Sequence, residues 1–252
     1  MSGPVTQLLL DLGNTRLKWA LVTPDGHWAV RGDAPHPDFH LLTERFATLP
    51  APTIIRGCSV ATLDATTQLE VACTQLWQQP IQWLKVSRAA LGVTNRYRRL
   101  EQQGPDRWAA VLGARSLNPG EALVVANAGT ALTIDAVTAD GTFLGGMILP
   151  GYRLMKSSLA AGTARLPDAV GSVHDFPTST EDAIETGVLT ALAASIETML
   201  QRVELRGEEP RLLLSGGDAE RIAPLLSVPV QFETDLVLRG LAALANHPEP
   251  TP

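Results

Sequence analysis

The sequence predicts an α/β protein built from two related lobes. Three observations carry that prediction. An apolar run, an acid or amide, an x-Gly turn and a returning hairpin strand occur twice: once at Val5 to Leu10 leading into Asp11-Leu-Gly-Asn-Thr15, and again at Ala122 to Ala126 leading into Asn127-Ala-Gly-Thr-Ala131. Short apolar runs alternate with stretches of helical periodicity through the rest of the chain, the pattern of α/β architecture. The 252 residues suffice for two domains of about 100 to 130 residues each.

Taken in order, Val5 to Leu10 reads as a buried strand entering a tight Gly turn, and Leu17 to Val22 as its hairpin partner. The Pro24-Asp-Gly26 turn and His27 to Arg31 extend these to a three-stranded meander. Helices are expected near Phe39 to Thr48 and Val60 to Trp77, flanking a strand at Thr53 to Arg56. After a strand at Ile81 to Val86 comes a polar, Arg-rich loop ending in Gly104-Pro-Asp-Arg107, then a helix over Trp108 to Ser116. Pro105 suits the first turn of that helix, where its missing N–H costs nothing. The expected lobes are residues 1–115 and 120–252, joined at Asn118-Pro-Gly120.

The second lobe opens with the repeated turn, followed by strands at Leu132 to Val137 and Phe143 to Leu149. Helices are expected at Tyr152 to Leu159 and at about Glu181 to Val203, then a strand at Leu212 to Leu214 and a Gly216-Gly217 turn. A helix through Leu225, a strand at Val228 to Phe232 and a closing helix to Ala245 complete the pattern, with a Pro-rich frayed tail from His247 to Pro252.

Composition narrows the function classes. At 45% hydrophobic and 18% charged residues the chain is globular rather than disordered. The net charge of −6 argues against a nucleic-acid footprint, which requires Lys and Arg in excess. Two cysteines, Cys58 and Cys73, without a C-x-x-C pair, suggest neither a disulfide framework nor zinc, and point to a reducing cytoplasm. The apolar stretch Leu8 to Leu10 is too short for a signal peptide or membrane span, so a soluble, unexported protein is expected.

Three turns carry candidate chemistry. In Asp11-Leu-Gly-Asn-Thr15, Gly13 lets backbone N–H groups approach phosphate oxygens, Asn14 and Thr15 add donors, and Asp11 at the strand end is placed to hold Mg²⁺. The same residues would also serve an ordinary hairpin with an Asx turn. Asn127-Ala-Gly-Thr-Ala131 occupies the equivalent place in the second lobe, so the two turns together suggest a polyphosphate held in a cleft between lobes. Leu214-Ser-Gly-Gly-Asp218 is a strand entering a Gly-Gly turn that opens a helix, a geometry suited to anions and equally to a plain connection. No G-x-x-x-x-G-K-[ST] or G-x-G-x-x-G segment occurs.

This set of turns resembles the actin and sugar-kinase superfamily, in which two duplicated ribonuclease-H-like lobes clamp a nucleotide. With Gly104-Pro-Asp-Arg107 the resemblance narrows to the type III pantothenate kinases, which carry D-x-G-N-T, G-x-D-R, D-x-G-T-A and G-G-x-I-x-P-G in this order. The last is Gly145-Gly-Met-Ile-Leu-Pro-Gly151 here, and Tyr97, Thr180-Glu-Asp-Ala-Ile-Glu-Thr-Gly187 and Asp235-Leu-Val-Leu-Arg-Gly-Leu241 match as well. The resemblance spans about residues 5 to 245 and implies ATP-dependent phosphorylation of pantothenate.

By that resemblance Asp11, Leu12, Gly13, Asn14, Thr15, Arg16, Leu17 and Lys18 bind ATP phosphates, with Mg²⁺ at Asp11, and Thr130 adds a phosphate contact. Asp106 takes the proton of the substrate hydroxyl, while Tyr97, Gly104, Pro105, Arg107 and Thr180 form the pantothenate pocket. The resemblance also implies a homodimer, with the loop around Gly162 to Asp168 completing the partner's pocket.

Considered alone, Asp106 could instead be a first-turn acid of its helix paired with Arg107, and Thr180 a helix N-cap. One position departs from the family pattern: Asn127 stands where the family has Asp beside a monovalent cation, which puts a K⁺ or NH₄⁺ requirement in question. Rival readings are a non-catalytic transcriptional accessory factor of the same family, or a kinase for another small hydroxyl substrate.

Overall fold

The computed structural model describes residues 6–35, 39–163 and 170–246. The expected frayed tail from His247 and most of the loop from Gly162 to Asp168 lie outside them. The described residues fall into two compact units, the first drawn from 1–91, 98–116 and 236–252 and the second from 92–97 and 117–235.

In the first unit, β1 (Gln7–Leu12), β2 (Arg16–Val22) and β3 (Trp28–Pro35) form the expected meander, and β4 (Ile54–Ser59) and β5 (Ile81–Trp83) continue the sheet in the order β3-β2-β1-β4-β5. The pairings from β3 to β1 are antiparallel, and those from β1 through β4 to β5 are parallel. Helices α1 (Phe39–Ala47), α2 (Leu63–Trp77) and α3 (Pro105–Leu117) complete this part.

The apolar run of β1 is explained by burial on both faces. Leu8, Leu10 and Leu12 join Leu17, Trp19, Leu42, Phe46 and Leu69 in one core cluster. Leu9 points the other way, to Ala20, Val22, Leu238 and Leu241. Leu238 and Leu241 belong to the C-terminal helix at Leu236–Asn246, which also crosses α3 at close range. A Cβ on Gly240 would come within 1.9 Å of the Ala109 carbonyl oxygen, so this crossing requires glycine.

The Arg-rich stretch expected to be a loop contains two short strands, β6 (Ala89–Ala90) and β7 (Val93–Asn95), and a 3-10 turn at Leu100–Gln102. Strands of two or three residues have no periodicity to reveal them; β7 is decided by its pairing with β10, and β6 by its place beside β7.

The second unit repeats the first. Strands β8 (Leu123–Ala128), β9 (Ala131–Val137) and β10 (Thr142–Pro150) form an antiparallel meander, and β11 (Arg211–Ser215) and β12 (Val230–Phe232) add in parallel. The resulting order β10-β9-β8-β11-β12 is that of the first sheet, lengthened by β7 and β6 at the β10 edge. Two ribonuclease-H-like units, as the sequence repeat predicts, therefore share one topology.

Helices α4 (Tyr152–Gly162) and α5 (Thr180–Glu204) cover this sheet, and α5 buries Ile184, Val188, Leu192, Ile196 and Leu200 in its core. Although α5 is long and apolar enough to cross a membrane, that apolar surface is the packing face of a core helix. Its N-cap is Ser179, whose Oγ accepts from the Asp182 N–H at 3.1 Å; Thr180, considered for that role, is the first helical residue instead. The helix expected through Leu225 stops early. α6 spans Ala219–Ile222 and a 3-10 turn follows at Ala223–Leu225, where Pro224 supplies no N–H. The C-terminal helix, α7, closes the chain.

Candidate active site

Within the first unit the site is assembled at the C-terminal end of β1. Side chains alternate across a strand, so Asp11 lies on the face of Leu9, away from the Leu8, Leu10 and Leu12 core. Its register partners are Lys18 on β2 and Cys58 on β4, and Lys18 is in turn opposite Asp33 on β3. One row across four strands therefore reads acid, cation, acid, thiol.

The turn after Asp11 is closed by the Gly13 N–H donating to the Arg16 carbonyl at 3.0 Å, and Asn14, Thr15 and Arg16 are exposed on it. Leu12 and Leu17, which flank the turn, are buried in the core. Arg16 is engaged by Asp33, its Nε donating to Oδ2 at 2.8 Å. Cys58, 1% exposed, donates from Sγ to Asp11 Oδ1 at 3.6 Å.

Pro105 is the first residue of α3, which puts Asp106 in the first helical turn, with Arg107 and Trp108 buried behind it. The Trp108 N–H donates to the Gly104 carbonyl at 3.2 Å. Burial pushes the Asp106 carboxyl above its ordinary range, while the Arg107 N–H and guanidinium oppose the rise. The cation beside Asp106 that the sequence suggests is thus present, but burial outweighs it. Burial also pushes the Cys58 thiol well up, and the charges of Asp11 and Asp106 push it further. A Cβ on Gly104 would lie 3.8 Å from Val60 Cγ1, and the Val60 N–H donates to the Leu12 carbonyl at 3.0 Å, so the Gly104-Pro-Asp-Arg107 turn sits beside the strand ends that carry Asp11.

The second unit has a corresponding arrangement. Asn127, the last residue but one of β8, is opposite Thr133 on β9 and Ser215 on β11, and the Gly129 N–H donates to the Ala131 carbonyl at 3.1 Å, closing the turn that presents Thr130. The Gly151 N–H holds the Thr130 carbonyl at 2.9 Å, where β10 passes into α4. Gly216 has a left-handed φ of +97°, and a Cβ there would lie 2.3 Å from the Ala128 carbonyl oxygen. This close approach, together with the Asp218 N–H bond to Ala128 at 3.1 Å, seats the Gly-Gly turn against the end of β8. Tyr97 stacks on Phe143 with centroids 6.2 Å apart and donates its N–H to Asn95 Oδ1 at 3.0 Å. Thr180 is exposed on the first turn of α5.

Cys58 and Ser215 are the residues that sequence reasoning missed. Each is a parallel-strand neighbour of a recognised acid or amide, and register between distant strands leaves no local signal. Among the described residues no three His, Cys, Asp or Glu side chains gather into a metal site. Mg²⁺ held mainly by substrate phosphates needs only one or two carboxylates, and Asp11 meets that requirement.

Two units of identical strand order, each with a Gly turn after its first strand, define the actin-like ATPase fold of the sugar kinases. Solved structures share it: a protein assigned to the Baf family of transcriptional activators from Campylobacter jejuni has TM-score 0.60 at 20% identity, over 96% of this chain and 100% of that one. The activator of 2-hydroxyisocaproyl-CoA dehydratase from Clostridium difficile, with bound ADPNP, has TM-score 0.54 at 10% identity, over 95% and 92%. At sequence level, residues 7–202 match the type III pantothenate kinase profile. The Chromobacterium violaceum protein named type III pantothenate kinase is 44% identical over 243 residues, covering 95% of this chain and 99% of that protein. The chain belongs to the type III pantothenate kinase family.

Proposed function

We propose that the protein transfers the γ-phosphoryl group of ATP to the primary hydroxyl of pantothenate, giving 4'-phosphopantothenate at the first step of coenzyme A biosynthesis. The observation that carries this reading is the G-x-D-R turn at the start of α3, which packs beside Val60, where β4 leaves the strand end that carries Asp11. Phosphoryl transfer asks the protein chiefly for positioning and charge stabilisation. Asp106 accepts the hydroxyl proton as the oxygen attacks phosphorus and ADP departs. Its raised affinity for a proton suits a general base better than that of an ordinary carboxylate.

Arg107 offers a planar fork for the pantothenate carboxylate, with Tyr97, Gly104, Pro105 and Thr180 as further substrate contacts. The turn from Leu12 to Leu17, whose own Gly13 N–H closes it on the Arg16 carbonyl, serves the ATP phosphates through Asn14, Thr15, Arg16 and Lys18, together with Thr130. Asp11 would hold Mg²⁺, which when bound neutralises phosphate charge. Asn127, lacking a charge, provides a weak monovalent-cation site.

The partners in this reading are pantothenate, ATP and a second copy of the chain, without nucleic acid or membrane, in the cytoplasm. Support for the homodimer comes from exposed apolar side chains in the second unit, Ile148, Leu154, Val170, Val173 and Phe176. Labelled ATP incubated with a panel of small hydroxyl compounds tests the activity. Label transferred to pantothenate and to few others is expected, and transfer to a different hydroxyl compound alone would overturn the substrate. Sedimentation of a fully active monomer would overturn the dimer.

A further inference from the structure

Cys58 is a buried thiol to which neither the family resemblance nor the reaction gives a role. It lies beside Asp11 in the parallel pairing of β4 and β1, 47 residues away in sequence, with its Sγ 3.6 Å from Asp11 Oδ1. The strand that carries it is tightly seated. A Cβ on the preceding Gly57 would meet the Trp83 ring at 2.7 Å and the Leu10 carbonyl at 3.2 Å, so the backbone at Cys58 has little room to shift. Lys18 stands on the other side of Asp11 in the same row. The Cys58 hydrogen bond restricts rotation of the Asp11 carboxylate about Cβ–Cγ from the β4 side.

The repeat supplies an independent observation. In the second unit the residue equivalent to Asp11 is Asn127, and its parallel neighbour on β11 is Ser215, 6% exposed. Each unit therefore places a small, buried hydroxyl or thiol next to the polar residue one step before the end of its first strand.

We propose that Cys58 is a positioning residue, whose thiol donates a hydrogen bond to Asp11 Oδ1 and fixes the carboxylate in the orientation that meets the Mg²⁺–nucleotide. The inference rests on the nucleotide part of the proposed function and is independent of pantothenate as substrate. It predicts a split among variants that simple space-filling does not. Cys58→Ser keeps a donor of similar size, while Cys58→Ala loses it.

The test is calorimetric binding of Mg·ADP to the wild-type chain and both variants, with thermal melting to establish folding and with kcat and both KM values measured where turnover is present. Cys58→Ala should lose roughly tenfold in Mg·ADP affinity, the lower end for a hydrogen bond to a charged group because a thiol is a weak donor. Cys58→Ser should stay within about threefold of wild type, as restoration of the donor requires. The KM for pantothenate should be unchanged in both. Equal binding by Cys58→Ala and wild type, or equal losses in Cys58→Ser and Cys58→Ala, would overturn the proposal. So would a wild-type chain that fails to bind Mg·ADP. A wild type that binds Mg·ADP and leaves pantothenate unphosphorylated would reject the substrate while leaving the role of Cys58 to be decided by the same binding comparison.

Discussion

Lys156 Nζ lies 3.0 Å from Glu185 Oε2, with both side chains buried between α4 and α5. The Tyr152 hydroxyl is 2.8 and 2.7 Å from the two Glu185 carboxylate oxygens and 3.1 Å from Lys156 Nζ, so the ammonium donates to the phenol and the phenol to the carboxylate. This network ties the first turns of α4, just after Gly151, to the core helix of the second unit. Glu185→Leu alone should cost about 3–5 kcal/mol, because the ammonium is left buried without its counter-charge. The double variant Lys156→Met, Glu185→Leu should cost much less. Denaturant unfolding of the three proteins checks the order.

The same pair gives stability a pH dependence. Burial by itself would raise the Glu185 carboxyl, but hydrogen bonds from Tyr152 and Lys156 and the Lys156 charge bring it below its ordinary 4.5. A group depressed in the folded state contributes its full stabilisation above the unfolded value and loses it as the pH falls through the folded one. Below about pH 4.5 the wild type should therefore lose stability more steeply than Glu185→Gln, as melting temperatures across acid pH would reveal.

For Asp106 the sign is opposite and the readout is catalytic. Burial raises its carboxyl above 3.8, so as the proposed base Asp106 should become protonated, and turnover should fall, at a higher pH than an unperturbed Asp would give. Asp106→Asn should lower kcat by about 100-fold or more and abolish that acid limb, with ATP affinity and folding nearly intact. Arg107→Ala should act mainly on the KM for pantothenate, since a carboxylate anchor binds ground and transition states alike.

Neighbouring glycines should respond differently to the same methyl group. Gly216→Ala forces a side chain at φ +97° to within 2.3 Å of the Ala128 carbonyl oxygen, whereas a Cβ at Gly217 meets no atom within 4 Å. A loss of about 1–3 kcal/mol or more is expected for Gly216→Ala, together with weaker ATP binding. Gly217→Ala should be close to neutral in stability. Thermal melting with and without ATP separates the two.

In the proposed reading Asn127 sets the response to potassium. An amide in place of a carboxylate removes a unit charge from the end of β8, so turnover in buffer free of Na⁺ and K⁺ should stay within a few-fold of that with K⁺ at constant ionic strength. Asn127→Asp should make activity rise with K⁺. A steep potassium requirement in the natural protein would show that neutral oxygens suffice for the ion.

Much of this protein was determined locally by its sequence. Apolar runs leading into Gly turns and returning hairpin strands define β1, β2, β8 and β9, and Pro105 begins α3 where a missing N–H is tolerated. Their repetition predicts two units of one topology because each turn and hairpin is fixed by neighbours a few residues away. Tertiary structure alone decided the rest. β6 and β7 exist as strands through distant pairing, α7 lies against β1 at the other end of the chain, and Cys58 reaches Asp11 through parallel register. The proton affinity of Asp106 belongs to the same class: sequence supplies the adjacent Arg107 that lowers it, but burial, which depends on the whole fold packing around α3, raises it further than that neighbour can offset.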